Sequence, residues 1–564
     1  MRISDIPAAI AGELSIRPQQ VESVITLLDD GNTIPFIARY RKEATGSLED
    51  EMLRQVETRL TYLRSLVKRQ EEICARIEEQ GKLTDELRAA IEAAEKLQTL
   101  EDLYRPYKQK KRTRASIARE RGLEGLANAM LLQRETGGTP EDIAASFVDA
   151  EKDVATAADA LAGARDILAE TIMDEAELRR LMREKFWKSA VLETTLDADA
   201  EEAQVFQMYD GYTEPVRTLP SHRILAVNRG EKKGCLSVRI AVDHEAHVDW
   251  IYKRIYQRPS IFEDELRASI EDGYKRLLVP ALERELRAQL TEAAEEKAIA
   301  VFGHNLRQLL LQPPLAGHTV LGLDPGYRTG CKVALVDATG NVLASGVIHV
   351  TRSDGERRSA AQALLKLIKT HGVTLISIGN GTASYETEQF VAALIRDNDL
   401  KDVHYLITNE AGASVYSASQ LAKDELPDYD VTIRGAVSIA RRVQDPLAEL
   451  VKIDPQAIGV GQYQHDVSQK QLRETLDATV EDAVNHVGVD LNTASPALLN
   501  RIAGINATIA KNIVAYRNEH GRFTSRKTLR KVARLGDAAF TQCAGFLRIH
   551  EGETPLDGTA IHPE

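Results

Sequence analysis

Hydrophobic residues in the first 200 positions recur at the three- and four-residue steps that are typical of amphipathic helices. A clear run consists of Leu53, Val56, Leu60, Leu63 and Val67. The pattern predicts an all-helical region over 1–200. Short strand-like stretches and long charged helices over 201–317 predict a mixed, mostly helical scaffold, which ends at the helix-breaking pair Pro313 and Pro314.

The pattern changes after residue 317. Short β-rich runs at 320–323, 331–336 and 342–347 are separated by the turn-forming clusters DPGYRTG and DATGN. A helix, a buried strand, a second helix, a fifth strand and further helices follow. This order of elements is that of ribonuclease-H-like folds, so we predict one α/β domain of this type over 318–450.

The remainder of the chain divides into three parts. Residues 451–490 form a connector, 491–550 contain two short helical hairpins, and 551–564 form a tail. The predicted fold class is therefore multidomain and mainly α, with one α/β ribonuclease-H-like domain on an elongated helical scaffold. We expect the chain to be a monomer.

Composition narrows the class of protein. The chain of 564 residues is 43% hydrophobic and can bury several cores. No apolar run approaches the roughly 20 residues that span a bilayer, and the N-terminus lacks the apolar core of a secretory signal. The four cysteines lie far apart without a CxxC pair, which argues against a disulfide framework and a zinc finger. We expect a cytoplasmic protein with no membrane segment.

The formal net charge of -13 is unfavourable for binding a phosphate backbone, but the charges are segregated. Segment 104–121 has eight basic residues and one acid, and segment 501–548 has ten basic residues and two acids. We predict that both segments contact phosphates, although a solvated helix face would also explain the first. The predicted contacts in the first segment are Lys108, Lys110, Lys111, Arg112 and Arg114.

The first hairpin, LNTASPALLNRIAGINATIAKNIVAYR, has a tight turn at Gly504. Glycine permits a left-handed backbone there, and the amides that begin the next helix can point at a phosphate oxygen. A second copy at 529–546 has its predicted turn around Gly536, where Asp537 would repel phosphate, so the first hairpin is the stronger candidate. The predicted nucleic-acid contacts of the hairpins are Gly504, Ile505, Asn506, Lys511, Arg534 and Gly536.

A nuclease is the first alternative. Asp324 ends the first strand of the α/β domain, where this superfamily places its first metal-binding carboxylate, and Glu410 and Asp445 are candidate partners. Two-metal phosphoryl chemistry needs three or four carboxylates around Mg²⁺. The fourth strand ends in Asn380 instead of an acid, and each of the three acids also fits a turn, loop or helix cap. We therefore expect no catalytic residue and no cofactor, with Mg²⁺ at these acids only in the nuclease case.

An ATP-dependent enzyme is a weaker alternative. The turn DPGYRTG resembles the first phosphate loop of actin-like kinases, which share the topology of the opening strands. That function needs a second Asp-Gly phosphate loop and an adenosine-binding glycine pair, and the sequence offers only GNGT at 379–382.

Several long motifs carry a family resemblance. They include NTIPFIARYRKEATGSL at 32–48, DLYRPYKQKKRTRASIARERGLE at 102–124, VLGLDPGYRTGCKVALVD, NEAGASVYSAS and GVGQYQHDV. On these motifs the chain resembles the Tex family of transcription accessory proteins along essentially its whole length. The resemblance implies an N-terminal region with helix-turn-helix character, a YqgF-type domain that is a degenerate nuclease used as scaffold, and paired helix-hairpin-helix motifs.

The resemblance also implies a function. Family members normally end with an OB-fold RNA-binding domain, and no strand series of that kind follows the hairpins here. We expect a transcription accessory factor that binds RNA or DNA without sequence specificity, with RNA polymerase or other transcription proteins as partners. A Mg²⁺-dependent nuclease of the RuvC or YqgF type and a protein-binding scaffold on RNA polymerase are the alternatives.

Overall fold

The computed structural model describes residues 5–108 and 112–564. The chain forms two compact units. The first contains the residues up to Glu22 and Gln55–Lys297, and the second contains Ser23–Arg54 and Ala298–Glu564. A short segment near the start of the chain is thus built into the unit that the end of the chain forms.

The first sixteen helices are α1 Ile6–Leu14, α2 Pro18–Asp29, α3 Ile34–Tyr40, α4 Lys42–Thr45, α5 Asp50–Glu79, α6 Asp85–Ala93, α7 Leu97–Tyr104, α8 Arg114–Glu120, α9 Glu124–Leu132, α10 Pro140–Ala144, α11 Ala157–Met173, α12 Ala176–Ser189, α13 Ser221–Lys232, α14 His244–Ile255, α15 Glu263–Gly273 and α16 Val279–Leu310. The first unit contains the strands β1 Val191–Leu196, β2 Thr213–Pro215 and β3 Leu236–Ala241. These strands form an antiparallel sheet in the order β2-β1-β3.

The helices of the first unit surround a core of Leu, Ile, Met and Phe side chains that α11, α12, α14 and α15 supply. One arginine side chain is buried within this interior. Arg179 is 1% exposed, and its guanidinium pairs with Asp102 at 3.3 Å and with Glu285 at 3.0 Å. Because a buried charge without partners is costly, these two carboxylates fix where α7, α12 and α16 meet.

The second unit continues with β4 Val320–Asp324, β5 Cys331–Val336, β6 Val342–Ile348, α17 Asp354–His371, β7 Leu375–Gly379, α18 Ser384–Asp397, β8 His404–Thr408, α19 Ala413–Ala418, α20 Gln420–Glu425, α21 Val431–Gln444, α22 Pro446–Leu450, α23 Gln469–Val487, β9 Val489–Asp490, α24 Pro496–Leu499, α25 Ala507–His520, α26 Asp537–Cys543 and β10 Leu547–Arg548. Strands β4 to β8 form one mixed sheet in the order β6-β5-β4-β7-β8, in which β4, β5 and β6 pair antiparallel and β4, β7 and β8 pair parallel. This order confirms the prediction of a mainly helical, multidomain protein with one α/β ribonuclease-H-like domain.

Helices cover both faces of this sheet. Apolar residues of α17 and α18 pack on one face, and α21 packs on the other. A Cβ added at Gly322 in β4 would overlap the carbonyl oxygen of Ala436, so the backbone of α21 lies directly on the central strand. The close approach fixes α21 along β4, with its first turns near Asp324.

The two hairpins at the end of the chain repeat one local geometry. In each, a backbone bond closes the turn: Ile505 N–H donates to the Ile502 carbonyl at 3.0 Å, and Leu535 N–H donates to the Val532 carbonyl at 3.2 Å. Each turn also contacts the second helix of the other hairpin. The Asn512 amide on α25 donates to the Ala533 carbonyl at 2.8 Å, and Gly504 packs against Gln542 on α26.

Helix α3 and the two residues before it dock on this hairpin pair. The Tyr40 ring lies 5.1 Å from the Phe546 ring and 5.0 Å from the His562 ring, centroid to centroid, and its hydroxyl donates to the Ala560 carbonyl at 2.9 Å. A side chain at Gly545 would overlap the Tyr40 ring. Asn32 accepts a hydrogen bond from the Gln542 amide at 2.9 Å. Residues near the start of the chain therefore form part of the hairpin domain.

Two further expectations concern the whole chain. The four cysteines, Cys74, Cys235, Cys331 and Cys543, are buried and form no disulfide. Across residues 5–108 and 112–564, no helix combines the length and the apolar character that crossing a membrane requires.

We expect Tyr40→Ala to loosen the hairpin domain, because the change removes two ring contacts and a hydrogen bond. Loss of a largely buried aromatic ring costs about 3 kcal/mol. The measurement is amide hydrogen exchange, in which protection should fall across residues 541–549 and stay unchanged in α11.

The matched control is Tyr385→Ala, which removes a tyrosine that is 68% exposed. This variant should leave exchange in the hairpin domain unchanged. Equal protection of residues 541–549 in the wild type and in Tyr40→Ala would show that α3 does not stabilise the hairpins.

Candidate nucleic-acid interface and carboxylate site

Two of the predicted acids meet at the carboxyl ends of the parallel strands. Asp324 is the last residue of β4, and Glu410 follows β8 by two residues. Burial raises the pKa of Asp324 above its usual range. Burial also raises the pKa of Glu410, and the nearby charge of Asp324 raises it further. The two carboxylates are thus close enough to influence each other's ionisation.

A glycine cradle holds Glu410. A Cβ added at either Gly379 or Gly381 would overlap a carboxylate oxygen of Glu410, and the Glu410 N–H donates to Asn380 Oδ1 at 3.1 Å. The loop GNGT therefore fixes one carboxylate. The sequence offered a signal for this role, since two glycines flank a polar residue directly after a buried strand, but the interpretation as a nucleotide-binding pair did not use it.

A buried arginine lies behind the same loop. Arg442 on α21 is 4% exposed, and its Nη1 donates to the carbonyls of Asn409 at 2.6 Å and Ala411 at 2.9 Å. Its Nε and Nη2 atoms have no hydrogen-bond partner among the described residues. Burial lowers the pKa of Arg442, while the charges of Glu449 and Glu410 oppose that effect. The sequence pattern did not predict this cation near the carboxylates.

The third predicted acid lies elsewhere. Asp324 Oδ2 would lie 3.2 Å from a Cβ on Gly435, near the start of α21, whereas Asp445 follows the end of that helix. The rise of an α-helix places these two positions about 15 Å apart. Asp445 instead caps α22, where its carboxylate accepts from Ala448 N–H at 3.0 Å.

The donor set does not fit two metal ions. Among the described residues, no three His, Cys, Asp or Glu side chains form a group that could hold a metal. Asp324 and Glu410 supply two carboxylates, Asn380 already accepts a bond from the backbone, and Arg442 contributes a positive charge nearby. A two-metal centre needs at least one more carboxylate at this point.

The two hairpin turns differ in how they begin the following helix. Gly504 has a left-handed φ of 76°, and Asn506 caps α25 by accepting from Thr508 N–H at 3.1 Å and Ile509 N–H at 3.0 Å. In the second hairpin the left-handed residue is Arg534, with a φ of 67°. Gly536, which we predicted as the turn, has extended backbone and precedes α26 without a side-chain cap.

The second turn therefore places an arginine where the first has glycine. A left-handed backbone costs a non-glycine residue about 1–2 kcal/mol. The Arg534 side chain is exposed, so no buried contact offsets this cost.

Four of the ten basic residues in 501–548 are partly or fully buried. Arg501 pairs with Asp477 at 2.8 Å. Arg517 donates to the Leu491 carbonyl at 3.0 Å, Arg526 is 2% exposed and donates to the Leu547 carbonyl at 2.7 Å, and Arg548 packs against Gly488. The exposed basic residues are Lys511, Arg522, Lys527, Arg530, Lys531 and Arg534.

An acidic surface lies on one side of the first turn. Gly504, Ile505 and Asn506 line a cleft of about 550 Å³ together with acids of α23. Asp477 pairs with Arg501, and Glu481 pairs with Arg54 at 3.1 Å. In the second hairpin, Asp537 is 3.5 Å from Arg530, which offsets the charge that we expected to repel phosphate.

The first basic segment is partly exposed. Lys108, Arg112 and Arg114 lie on the surface, whereas Lys110 and Lys111 lie outside the described residues. Arg112 lies 3.9 Å from Glu120, with 75% of its side chain exposed. Other basic residues of the segment have partners, since Arg105 pairs with Asp174, Arg119 with Glu170 and Arg121 with Asp153.

Models of known families match four segments of the chain. Residues 4–78 match a Tex-like protein N-terminal domain, 135–302 a Tex central region, 318–444 a Tex protein YqgF-like domain and 484–548 a helix-hairpin-helix motif.

Relatives match nearly the whole chain. The transcriptional accessory protein Tex of Neisseria gonorrhoeae is 49% identical over 99% of this chain and 74% of its own length. Protein YhgF of Escherichia coli is 50% identical over 98% of this chain and 73% of its own length. The human S1 RNA-binding domain-containing protein 1 is 39% identical over 97% of this chain and 56% of its own length. With the sheet, the hairpin pair and these matches in agreement, the chain belongs to the Tex family of transcription accessory proteins.

Proposed function

We propose that this protein binds the phosphate backbone of RNA or DNA through its paired hairpins and acts as an accessory factor of the transcription machinery. The observation that carries the proposal is the pair of hairpins, each with an exposed basic residue, Lys511 at the start of the second turn of α25 and Arg534 in the second hairpin turn. Lysine and arginine at such positions displace counterions from a phosphate backbone.

The direction of approach follows from the charges. The cleft that the first turn lines with α23 contains three acids and two arginines, whereas Lys511 is exposed, so a phosphate approaches from the side of Lys511. Two amides at the start of α25 already bond to Asn506, and side-chain charge therefore supplies more of the attraction than the helix start does. Such contacts carry no base information, which supports binding without sequence specificity.

Action beside RNA polymerase rests on family membership. The acidic whole-chain charge of -13 supports a second, protein-facing role, because most of the surface would repel nucleic acid. The first basic segment, with Lys108, Arg112 and Arg114 exposed, offers a further phosphate contact in the first unit.

A Mg²⁺-dependent nuclease remains the second candidate function. The observation that favours it is the meeting of Asp324 and Glu410 at the strand ends, with both pKa values raised. The missing third carboxylate weighs against it. If Mg²⁺ binds, these two carboxylates would hold it, and the ion would supply electrostatic stabilisation to a phosphoryl group.

We expect Lys511→Glu with Arg534→Glu to weaken binding of single- and double-stranded nucleic acid. Each lost phosphate contact reduces the slope of log affinity against log salt by about 0.9, so the slope should fall by about 2. The measurement is fluorescence anisotropy with labelled oligonucleotides across a salt titration.

The control is Lys366→Glu with Lys369→Glu, which makes the same charge change on exposed positions of α17. This control should keep the wild-type slope. If both double variants lose the same affinity, the hairpins are not the interface and only the total charge matters.

The variant Arg534→Gly should affect nucleic-acid binding and stability differently. Glycine relieves the left-handed strain, so the free energy of unfolding should stay unchanged or rise by up to about 1 kcal/mol. Affinity for nucleic acid should fall because a phosphate contact is lost. Urea unfolding and anisotropy measure the two effects, and a variant that binds as tightly as the wild type would exclude Arg534 from the interface.

A gel series with Mg²⁺ or EDTA decides between the candidate functions. We expect salt-sensitive shifts of labelled RNA and DNA without cleavage products. Products that require Mg²⁺ and disappear in Asp324→Asn would instead establish the nuclease. The absence of any shift at low salt would leave a protein-binding scaffold as the function.

A further inference from the structure

A second basic and aromatic surface lies in the first unit. Helices α12 and α14 border a cavity of about 560 Å³. Three lysines line it, Lys185 and Lys188 from α12 and Lys253 from α14. A cavity of this size lies within the range of small-ligand and nucleotide sites.

The lining of this cavity has more positive than negative side chains. Within the part of the chain that the structure describes, none of the three lysines has an acid within ion-pair distance, and Lys188 and Lys253 are exposed. The two acids of the lining are engaged elsewhere. Asp243 accepts from Ala246 N–H at 3.0 Å as the cap of α14, and Asp249 pairs with Arg267 at 2.7 Å. The lining therefore carries three lysines against two aspartates, of which Asp249 is paired with an arginine, and its net charge is positive.

One tryptophan belongs to this surface. Trp250 lines the cavity, and the Lys185 ammonium lies 4.8 Å from its ring centroid. A partly exposed indole ring beside unpaired lysines can bind a base and its phosphate together.

The floor of the cavity is rigid. His247 is buried, and its ring stacks on Phe186 with 5.2 Å between centroids. Its Nδ1 atom lies 2.9 Å from the hydroxyl oxygen of the buried Tyr274. The site is thus built on packed helices, which hold Trp250 and the lysines in place.

From this arrangement we infer that the α12–α14 cavity is a binding site for single-stranded nucleic acid, with a base stacking on Trp250 and phosphates bound by Lys188 and Lys253. Single strands fit the site because unpaired bases expose the faces that stack on aromatic rings. The three lysines provide the complementary charge for this partner. The site is independent of the hairpins and can be tested without them.

The full-length chain offers a direct readout. The chain has two tryptophans, so in a Trp187→Phe background the fluorescence of Trp250 alone reports on the site. We expect single-stranded oligo(dT) and oligo(U) to quench the emission saturably, and a duplex of equal length to quench it far less. The same quenching should persist in Lys511→Glu with Arg534→Glu.

Lysine and tryptophan variants test which residues contact the nucleic acid. Lys188→Glu with Lys253→Glu should weaken the quenching titration about tenfold at moderate salt and reduce its salt slope by about 2. Trp250→Phe should weaken binding of a labelled single strand about threefold by fluorescence anisotropy, because a smaller ring stacks less well. The matched control, Lys232→Glu with Lys297→Glu, changes exposed lysines of the same unit and should behave as the wild type.

Three outcomes would overturn the inference. Unchanged tryptophan emission in the presence of bound single strands would place them elsewhere on the protein. Equal quenching by duplexes would remove the preference for unpaired bases. Equal losses in the Lys188/Lys253 and Lys232/Lys297 variants would reduce the effect to total charge.

Discussion

The packing of α3 on the hairpin pair is the contact on which the second unit depends. The Tyr40 ring fills a space that exists because residue 545 is glycine, and it lies between Phe546 and His562. Each hairpin is too short to bury its own apolar residues, and the contacts between the turns join the two into one layer. Helix α3 provides the apolar surface that covers this layer.

Local patterns predicted most of the fold. Helical periodicity, the strand runs after residue 317 and the repeated hairpin each depend on residues close together in sequence, and the sheet order follows from them. The role of α3 was not predictable in this way, because its partners lie at the other end of the chain and leave no periodic signal. The same holds for Arg179, whose burial depends on carboxylates from two other helices.

The candidate sites were likewise predictable from the sequence only in part. Asp324 and Glu410 meet as expected from strand ends, but the direction of α21, which separates Asp445 from them, is set by the close contact at Gly322. Counting charges identified the basic hairpin segment, yet residue type alone could not show that Arg517 and Arg526 donate to backbone carbonyls. In an acidic protein, the few basic groups left exposed determine where phosphate can bind.

The second unit is formed by two segments that are far apart in the chain, and this affects folding during synthesis. The hydrogen bond between Asn32 and Gln542 joins residues that are 510 positions apart. At ribosomal rates of about 5–20 residues per second, roughly 25–100 s separate the synthesis of these partners. During that interval the nascent chain carries Ile34, Phe36 and Ile37, all buried in the finished protein, without the hairpins that cover them. These apolar side chains therefore stay uncovered until the hairpins have been made.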